Sequence, residues 1–329
     1  MKKTAVTWTS LHQLSRRDAL RGVGLSLLAL PMLRALSACD DGDPVGGEGE
    51  GEGEGEGENT GEGEGEGEGE GEGEGEGEVN DEIDAAAWAT GGVAVMAAAA
   101  TYPDDLATTV TTCALDCQMT EGPCFAPSAP SREDISEGEA GIPMLLRFKV
   151  VQSDGCTPVA GAEVEIWHTN DEGLYSGDDV ESGDFCTSGD ARAIAAYWMR
   201  GIRTAADDGI VTFKSCYPGW YAGRAIHIHF VVRVGGQQTV VSQVFFPEAI
   251  TTAIFDTVDG YKQRGQPDTT LATDSVVGNA DDLTPYLLTV RQAADGVMLA
   301  SKVISISTTS SCTVAGAGGG GGGGGGPPP

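Results

Sequence analysis

The sequence predicts an all-β domain: an antiparallel β-sandwich of the immunoglobulin- or transthyretin-like, Greek-key kind, with few short helices. Three observations predict it. Apolar, partly β-branched runs recur from residue 143 onward, Gly-, Asp- and Pro-rich turns separate them, and several alternate with period two. PMLLRFKVV (143–151) opens the series, and DGCTPVAGA (154–162) is a turn-rich connection into EVEIWHT (163–169). IVTFKS (210–215), AIHIHFVVRV (225–234), QTVVSQVFF (238–246) and SKVISIS (301–307) follow. The best helical candidates are AIAAYWMRG (193–201) and the segment around PEAITTAIFDTVDGY (247–261). No phosphate-binding glycine motif and no GxSxG elbow is present.

The chain divides into four parts. Residues 1–39 read as an export signal, with Arg16 and Arg17 ahead of an apolar run from Val23 to Leu33 that is too short to span a bilayer comfortably. Either a twin-arginine or a plain Sec signal is consistent with this. LSAC (36–39) resembles a lipobox, which would make Cys39 a lipid anchor and the product a lipoprotein facing the periplasm or the cell exterior. Residues 40–100 contain the Gly-Glu repeat and a linker. The repeat holds fifteen of the fifty acidic residues, and its charge repulsion and lack of apolar side chains predict a disordered tether. Alanine-rich 85–100 reads as a short helix or the linker's end. Residues 101–312 form the globular domain, and 313–329 are a disordered Gly/Pro tail. A net charge of −31 excludes nucleic acid as a partner and leaves assembly into a homo-oligomer open. Behind an export signal, the seven cysteines after Cys39 suit disulfides, with one thiol left over.

GRAIHIHF (223–230) holds two of the four histidines. On a strand, side chains two apart share a face about 6.6 Å apart, so His227 and His229 point one way and the isoleucines the other. Two imidazoles on one face suit a metal, though an isolated HxH is more often a pair of satisfied histidines on a half-exposed strand. Two stretches feed this strand: IWHTNDEGLYSG (166–177), which carries Tyr175, and YPGWYAG (217–223), which carries Tyr221. A phenol is a poor ligand at neutral pH unless a strongly Lewis-acidic cation stabilises its anion. Two phenolates with two imidazoles make a hard anionic site that favours ferric iron. Tyr217, four residues before Tyr221, competes for its role. His168 reads as packed or hydrogen-bonded near the site, Tyr197 and Trp198 as core, and Asp178 and Asp179 as a solvated turn.

These motifs resemble the intradiol ring-cleavage dioxygenases, from TEGPCFAP (120–127) through MRGIRTAADDGIVTF (199–213) to SQVFF (242–246), weakening after PDTTLATDSVV (267–277). The chain departs from the common pattern at Thr169 and at EGPCF. The resemblance implies a non-haem Fe(III) enzyme that cleaves a catechol-type substrate with O2 to a muconate-type diacid. It implies Tyr175, Tyr221, His227 and His229 as metal ligands, with Tyr221 leaving when substrate binds and Tyr175 staying. It implies Arg224 and Gln243, with Tyr221, as the catalytic residues. The alternative is a catalytically inactive surface module binding a metal or an aromatic ligand. A Cys186–Cys216 bridge would tie together the segments that deliver the two tyrosines, the alternative being two buried thiols.

If Cys39 is the anchor, Cys39→Ala moves the protein from the membrane fraction to soluble or unprocessed material. Unchanged fractionation, with no lipid label on the wild type, would refute the anchor.

Overall fold

The computed structural model describes residues 83–96, 102–106 and 111–314. The export signal, Cys39, the Gly-Glu repeat and residues 315–329 lie outside the described residues, whereas Thr313 and Val314, expected in the tail, are ordered: Thr313 bridges to Gln118 and Val314 is buried. Eight strands form two four-stranded sheets. β1 (Pro143–Gln152), β4 (Ile210–Cys216), β7 (Thr289–Gln292) and β8 (Met298–Ile306) make the first, in the order β4-β1-β8-β7. β2 (Glu163–Trp167), β3 (Arg200–Thr204), β5 (His227–Val234) and β6 (Gln237–Phe245) make the second, in the order β3-β2-β5-β6. Three helices sit in the connections: α1 (Gly183–Thr187), α2 (Ala191–Ala195) and α3 (Glu248–Thr257).

Alternation decides which face each sheet buries. Leu146, Phe148 and Val150 of β1 meet Val164 and Ile166 of β2 and Ile228, Phe230 and Val232 of β5 in one core. The Phe148 and Phe230 rings stand 5.9 Å apart across it. β5 and β6 read as near-continuous apolar runs because the outer face of their sheet is also covered, by the loops that build the site.

Several expectations are corrected. β1 and β8 pair in parallel, so the first sheet is mixed rather than wholly antiparallel. The edge strands β3 and β7 lack apolar alternation, and neither is legible in the sequence. AIAAYWMRG is helical only through Ala195, and Arg200 and Gly201 already belong to β3, where they pair with Trp167 and Ile166. Residues 83–96 are docked rather than an extended linker. Trp88 enters the main core, Ala89 N–H donates to the Gly296 carbonyl at 2.9 Å, and Gly92 N–H donates to the Gly141 carbonyl at 2.9 Å.

Three disulfides fasten the periphery: Cys113–Cys156, Cys117–Cys312 and Cys124–Cys186. Cys186 therefore does not bridge to Cys216, which is a buried free thiol that burial, foremost, pushes up to about 12. The reason is geometric. Cys216 ends β4 and points its sulfur at the Glu139 carbonyl, whereas α1 turns Cys186 back towards residue 124.

Phe230→Ala opens a cavity between the sheets and is expected to cost about 3–5 kcal/mol in urea unfolding. A loss below about 1 kcal/mol would show that the two inner faces do not share this contact.

Candidate metal centre

The site lies on the outer face of the second sheet, opposite the core. The alternation that sends Ile228 and Phe230 inward sends His227 and His229 outward. Register then builds a row across all four strands. Arg200 pairs with Trp167, Trp167 with His229, and His229 with Gln243. Trp167 stacks on the His229 imidazole with ring centroids 4.8 Å apart and planes 9° from parallel. Phe125 packs edge-on against Trp167.

Two interlocked loops add the tyrosines. A Cβ on Gly219 would stand 2.2 Å from the Asp171 carbonyl oxygen, and one on Gly173 would stand 2.2 Å from that of Trp220. Gly173 also holds φ at +78°, where other residues are strained. The backbones therefore touch at two glycines. Thr169 Oγ1 donates to the Gly219 carbonyl at 2.7 Å, and Gly219 N–H donates to the Asn170 carbonyl at 2.7 Å. On the first loop, Tyr175 N–H donates to the Cys186 carbonyl at 3.0 Å, so the Cys124–Cys186 bridge ties Tyr175 to the 120–126 segment. Phe185 of α1 packs edge-on to Tyr221.

All four predicted ligands converge on one point. Within 3.4 Å of His227 Nε2 lie His229 Nε2 at 3.1 Å, the Tyr175 and Tyr221 hydroxyl oxygens at 3.3 Å each, and an Arg224 guanidinium nitrogen at 3.4 Å. His227 Nδ1 is 2.6 Å from the Ala225 carbonyl, so Nδ1 carries the proton and Nε2 offers one lone pair. A single lone pair cannot satisfy four polar neighbours. Donor atoms about 2.0–2.2 Å from a shared cation stand about 3 Å from one another, which is the spacing found. The donor set therefore fits a metal ion. Among the described residues no group of three or more His, Cys, Asp or Glu could hold one, so the tyrosines are needed to complete it.

Electrostatics agree. Burial, then the Arg224 charge, pushes His227 down to about 3, and burial with His227 and Arg224 nearby holds His229 well below the usual imidazole range. Both stay neutral, as ligation requires. Burial, and next the neighbouring Tyr221, holds the Tyr175 phenol well above 10, so its anion needs a cation beside it.

Arg224 is clamped. Its Nε meets Asp274 Oδ2 at 2.9 Å, and a terminal nitrogen donates to Gln243 Oε1. Asp274 also accepts from the N–H groups of Ala225 (2.8 Å), Val276 (2.8 Å) and Val277 (3.1 Å). Burial opposes its charge, but Arg224, foremost, and the backbone N–H donors outweigh it and hold the carboxyl below the ordinary range. Gln243 Nε2 donates to the Thr120 carbonyl at 2.9 Å, so both ends of its amide are fixed. Sequence reasoning missed Asp274, which lies fifty residues from Arg224 with no local mark of the pairing. It also missed Trp167 as the plate under His229, although strand alternation on β2 was enough to put it there.

Of the other candidates, Tyr217 lies in the main core, with its hydroxyl 2.9 Å from Thr251 Oγ1 and its ring against Phe246 and Tyr261. It is not at the site. His168 is buried between the Thr169 carbonyl and Ser215 Oγ, each at 2.8 Å. Trp198 is core, but Tyr197 is only partly buried and donates to Asp178 at 3.0 Å. Asp179 is not a solvated turn residue, because both its carboxylate oxygens are buried.

Residues 120–275 match a family model described as Dioxygenase (Dioxygenase_C). Hydroxyquinol 1,2-dioxygenase of Rhizobium sp. is 32% identical over 137 residues, 37% of this chain and 44% of that protein. Catechol 1,2-dioxygenase 1 of Acinetobacter lwoffii is 28% identical over 146 residues, 37% of this chain and 43% of that protein. Over this stretch the chain is similar to the intradiol ring-cleavage dioxygenases. It spans less than half the length of these curated relatives. The solved intradiol ring-cleavage dioxygenase from Tetranychus urticae shares the fold, with a TM-score of 0.53 and 24% identity over 60% of this chain and 97% of that one. The family match ends at residue 275, just beyond Asp274, so it encloses Arg224, Gln243 and Asp274.

Burial, foremost, lowers the His168 pKa to about 4, against about 6.5 in the unfolded chain. Above pH 6.5 neither state is protonated at this residue. As pH falls from 6.5 towards 4 the unfolded state binds the proton first, so stability is lost. In metal-free protein, wild type should lose about 2–3 kcal/mol more than His168→Gln between pH 7.5 and pH 4.5. Parallel losses in urea titrations of the two would show that His168 is not buried neutral.

Proposed function

We propose that this chain is an enzyme of intradiol ring cleavage. In this reading it opens a catechol-type ring between its two hydroxyl-bearing carbons. One O2 is consumed and both its atoms enter a muconate-type diacid. The diol and O2 together contain every atom of that diacid, and the electrons that reduce O2 come from the ring, so no outside reductant is needed. The observation that carries this reading is the convergence of two phenols and two neutral imidazoles around one point. Its relatives are named for hydroxyquinol and catechol 1,2-dioxygenation, which supports a catecholic diol as the substrate class.

Tyr175, Tyr221, His227 and His229 would hold ferric iron. When bound, that ion supplies the Lewis acidity that keeps phenolates and the diol ionised, and the electron-accepting partner that makes the ring reactive towards O2. The chain's own residues do the rest. Tyr221 is the ligand that leaves, and its phenolate oxygen takes a proton from one substrate hydroxyl, which is general-base work. Tyr221 is 8% exposed against 2% for Tyr175, in keeping with a ring that must swing aside. Arg224 sets a positive charge beside the ring position, where it favours electron density on carbon as O2 attacks, and Asp274 stops it turning away. Gln243, pinned at both ends of its amide, lines the same side.

We further propose that the protein is exported and anchored through Cys39. Three disulfides among the described residues support an oxidising compartment.

The test is oxygen uptake on catechol, protocatechuate and hydroxyquinol, with product identification, on wild type and four variants. Wild type should be red-brown and give one diacid per O2. Tyr221→Phe should change the resting spectrum most and slow turnover by about 10²–10⁴-fold, leaving the catechol complex close to wild type. Tyr175→Phe should disturb both spectra. His227→Ala or His229→Ala should lose the iron itself. A colourless protein with no uptake would leave only an inactive binding module.

A further inference from the structure

The two tyrosines have unequal surroundings, and the difference lies in a residue outside the ligand set. Arg200 ends the row Gln243, His229, Trp167, Arg200 across the second sheet. It is 1% exposed, yet among the described residues no carboxylate forms a salt bridge with it. Its Nε and a terminal nitrogen both donate to the Ser176 carbonyl, at 2.9 and 2.6 Å, next to Tyr175 in the chain. Its guanidinium carbon lies 5.9 Å from the Tyr175 ring centroid, within reach of a cation over an aromatic face. Among the described residues the only other such contact is Arg264 on Trp220, so Tyr221 has no equivalent. Arg224 acts on Tyr221 more strongly than on Tyr175 and is already paired with Asp274, so it does not single out Tyr175.

A buried guanidinium held by one carbonyl leaves most of its charge uncompensated, which is costly in a low-dielectric interior. The Asp179 and Glu165 carboxylates contribute only at longer range. A phenolate at Tyr175 would supply the missing anion. We propose that Arg200 is the positioning residue that makes Tyr175 the ligand that stays: its buried charge stabilises the Tyr175 phenolate, and its paired hydrogen bonds to Ser176 fix that ring's backbone. Tyr221 lacks this partner and is the ligand free to leave. This rests on the ferric reading above and adds the physical basis of the asymmetry.

The experiment loads wild type, Arg200→Met and Arg200→Lys with Fe(III). It reads iron retention against a competing chelator and the phenolate-to-iron charge-transfer band with and without catechol. Removing a positive charge near the phenolate raises the energy of its electrons, so the band should move to longer wavelength in Arg200→Met. The shift should persist with catechol bound, because Tyr175 is then the remaining phenolate. Iron retention should weaken on the order of tenfold to a hundredfold. Arg200→Lys keeps the charge but not the paired bonds to Ser176, and should keep the wild-type band. An unshifted band in iron-loaded Arg200→Met overturns the proposal, as does an equal shift in Arg200→Lys. If Arg200→Met does not fold or hold iron, Arg200→Lys decides. Wild-type band and retention support the charge, and loss of both overturns it. A wild type that takes up no coloured ferric ion sinks the functional reading, and this one with it.

Discussion

Every side chain of β5 has its side of the sheet set by pairing with β2 and β6. Ile228, Phe230 and Val232 go inward and close the core against β1, while His227 and His229 go outward into the site. A one-residue slip would exchange the two sets, burying imidazoles between the sheets and exposing isoleucine. The apolar contacts that stabilise the fold therefore also hold the histidines at ligand spacing. The rest of the site is arranged around that strand: Gln243 by register on one side, Trp167 and Arg200 by register on the other, and the tyrosines by loops that close over it.

The outer face of a sheet is ordinarily wet, and this one is not. It collects two phenols, two imidazoles, the buried Arg200, the half-buried Arg224 and the buried Asp274, and each polar group needs a partner. Asp274 answers Arg224, the Ser176 carbonyl answers Arg200 in part, and the Ala225 carbonyl answers His227 Nδ1. Where the rings converge, the unanswered groups are the His227 Nε2 lone pair, the two phenols and the uncompensated Arg200 charge, and beside them Trp167 Nε1, His229 Nδ1 and the Asp179 carboxylate also lack hydrogen-bond partners. A trivalent cation with two phenolates would answer the lone pair, the phenols and the Arg200 charge together, which is why that part of the polar accounting and the proposed chemistry point to the same residues.

The loops over the site have little regular structure and would be the first to open. Covalent and backbone contacts offset this. The Cys124–Cys186 bridge joins the 120–126 segment, which lies against His229 through Gly122, to α1, which holds the Tyr175 backbone. The glycine contacts between residues 173 and 219 join the two tyrosine loops directly. Disulfides of this span stabilise by about 2–4 kcal/mol, chiefly by restricting the unfolded chain.

The sequence by itself determined the class of fold, the candidate ligand types and which face of β5 the histidines share, because period-two alternation is local and survives without any knowledge of neighbours. Spacing to the histidine strand and resemblance together favoured Tyr221 over Tyr217, and resemblance added Arg224 and Gln243. Only the tertiary structure decided the parallel pairing of β1 with β8, the partner of Cys186, the docking of Trp88 and the roles of Asp274, Trp167 and Arg200. Each of these joins residues far apart in the chain, through a register or a loop packing. Nothing in the local composition of LATDSVV or MRGIRT records that a half-buried arginine waits for its carboxylate, or that a buried one lies over a tyrosine ring.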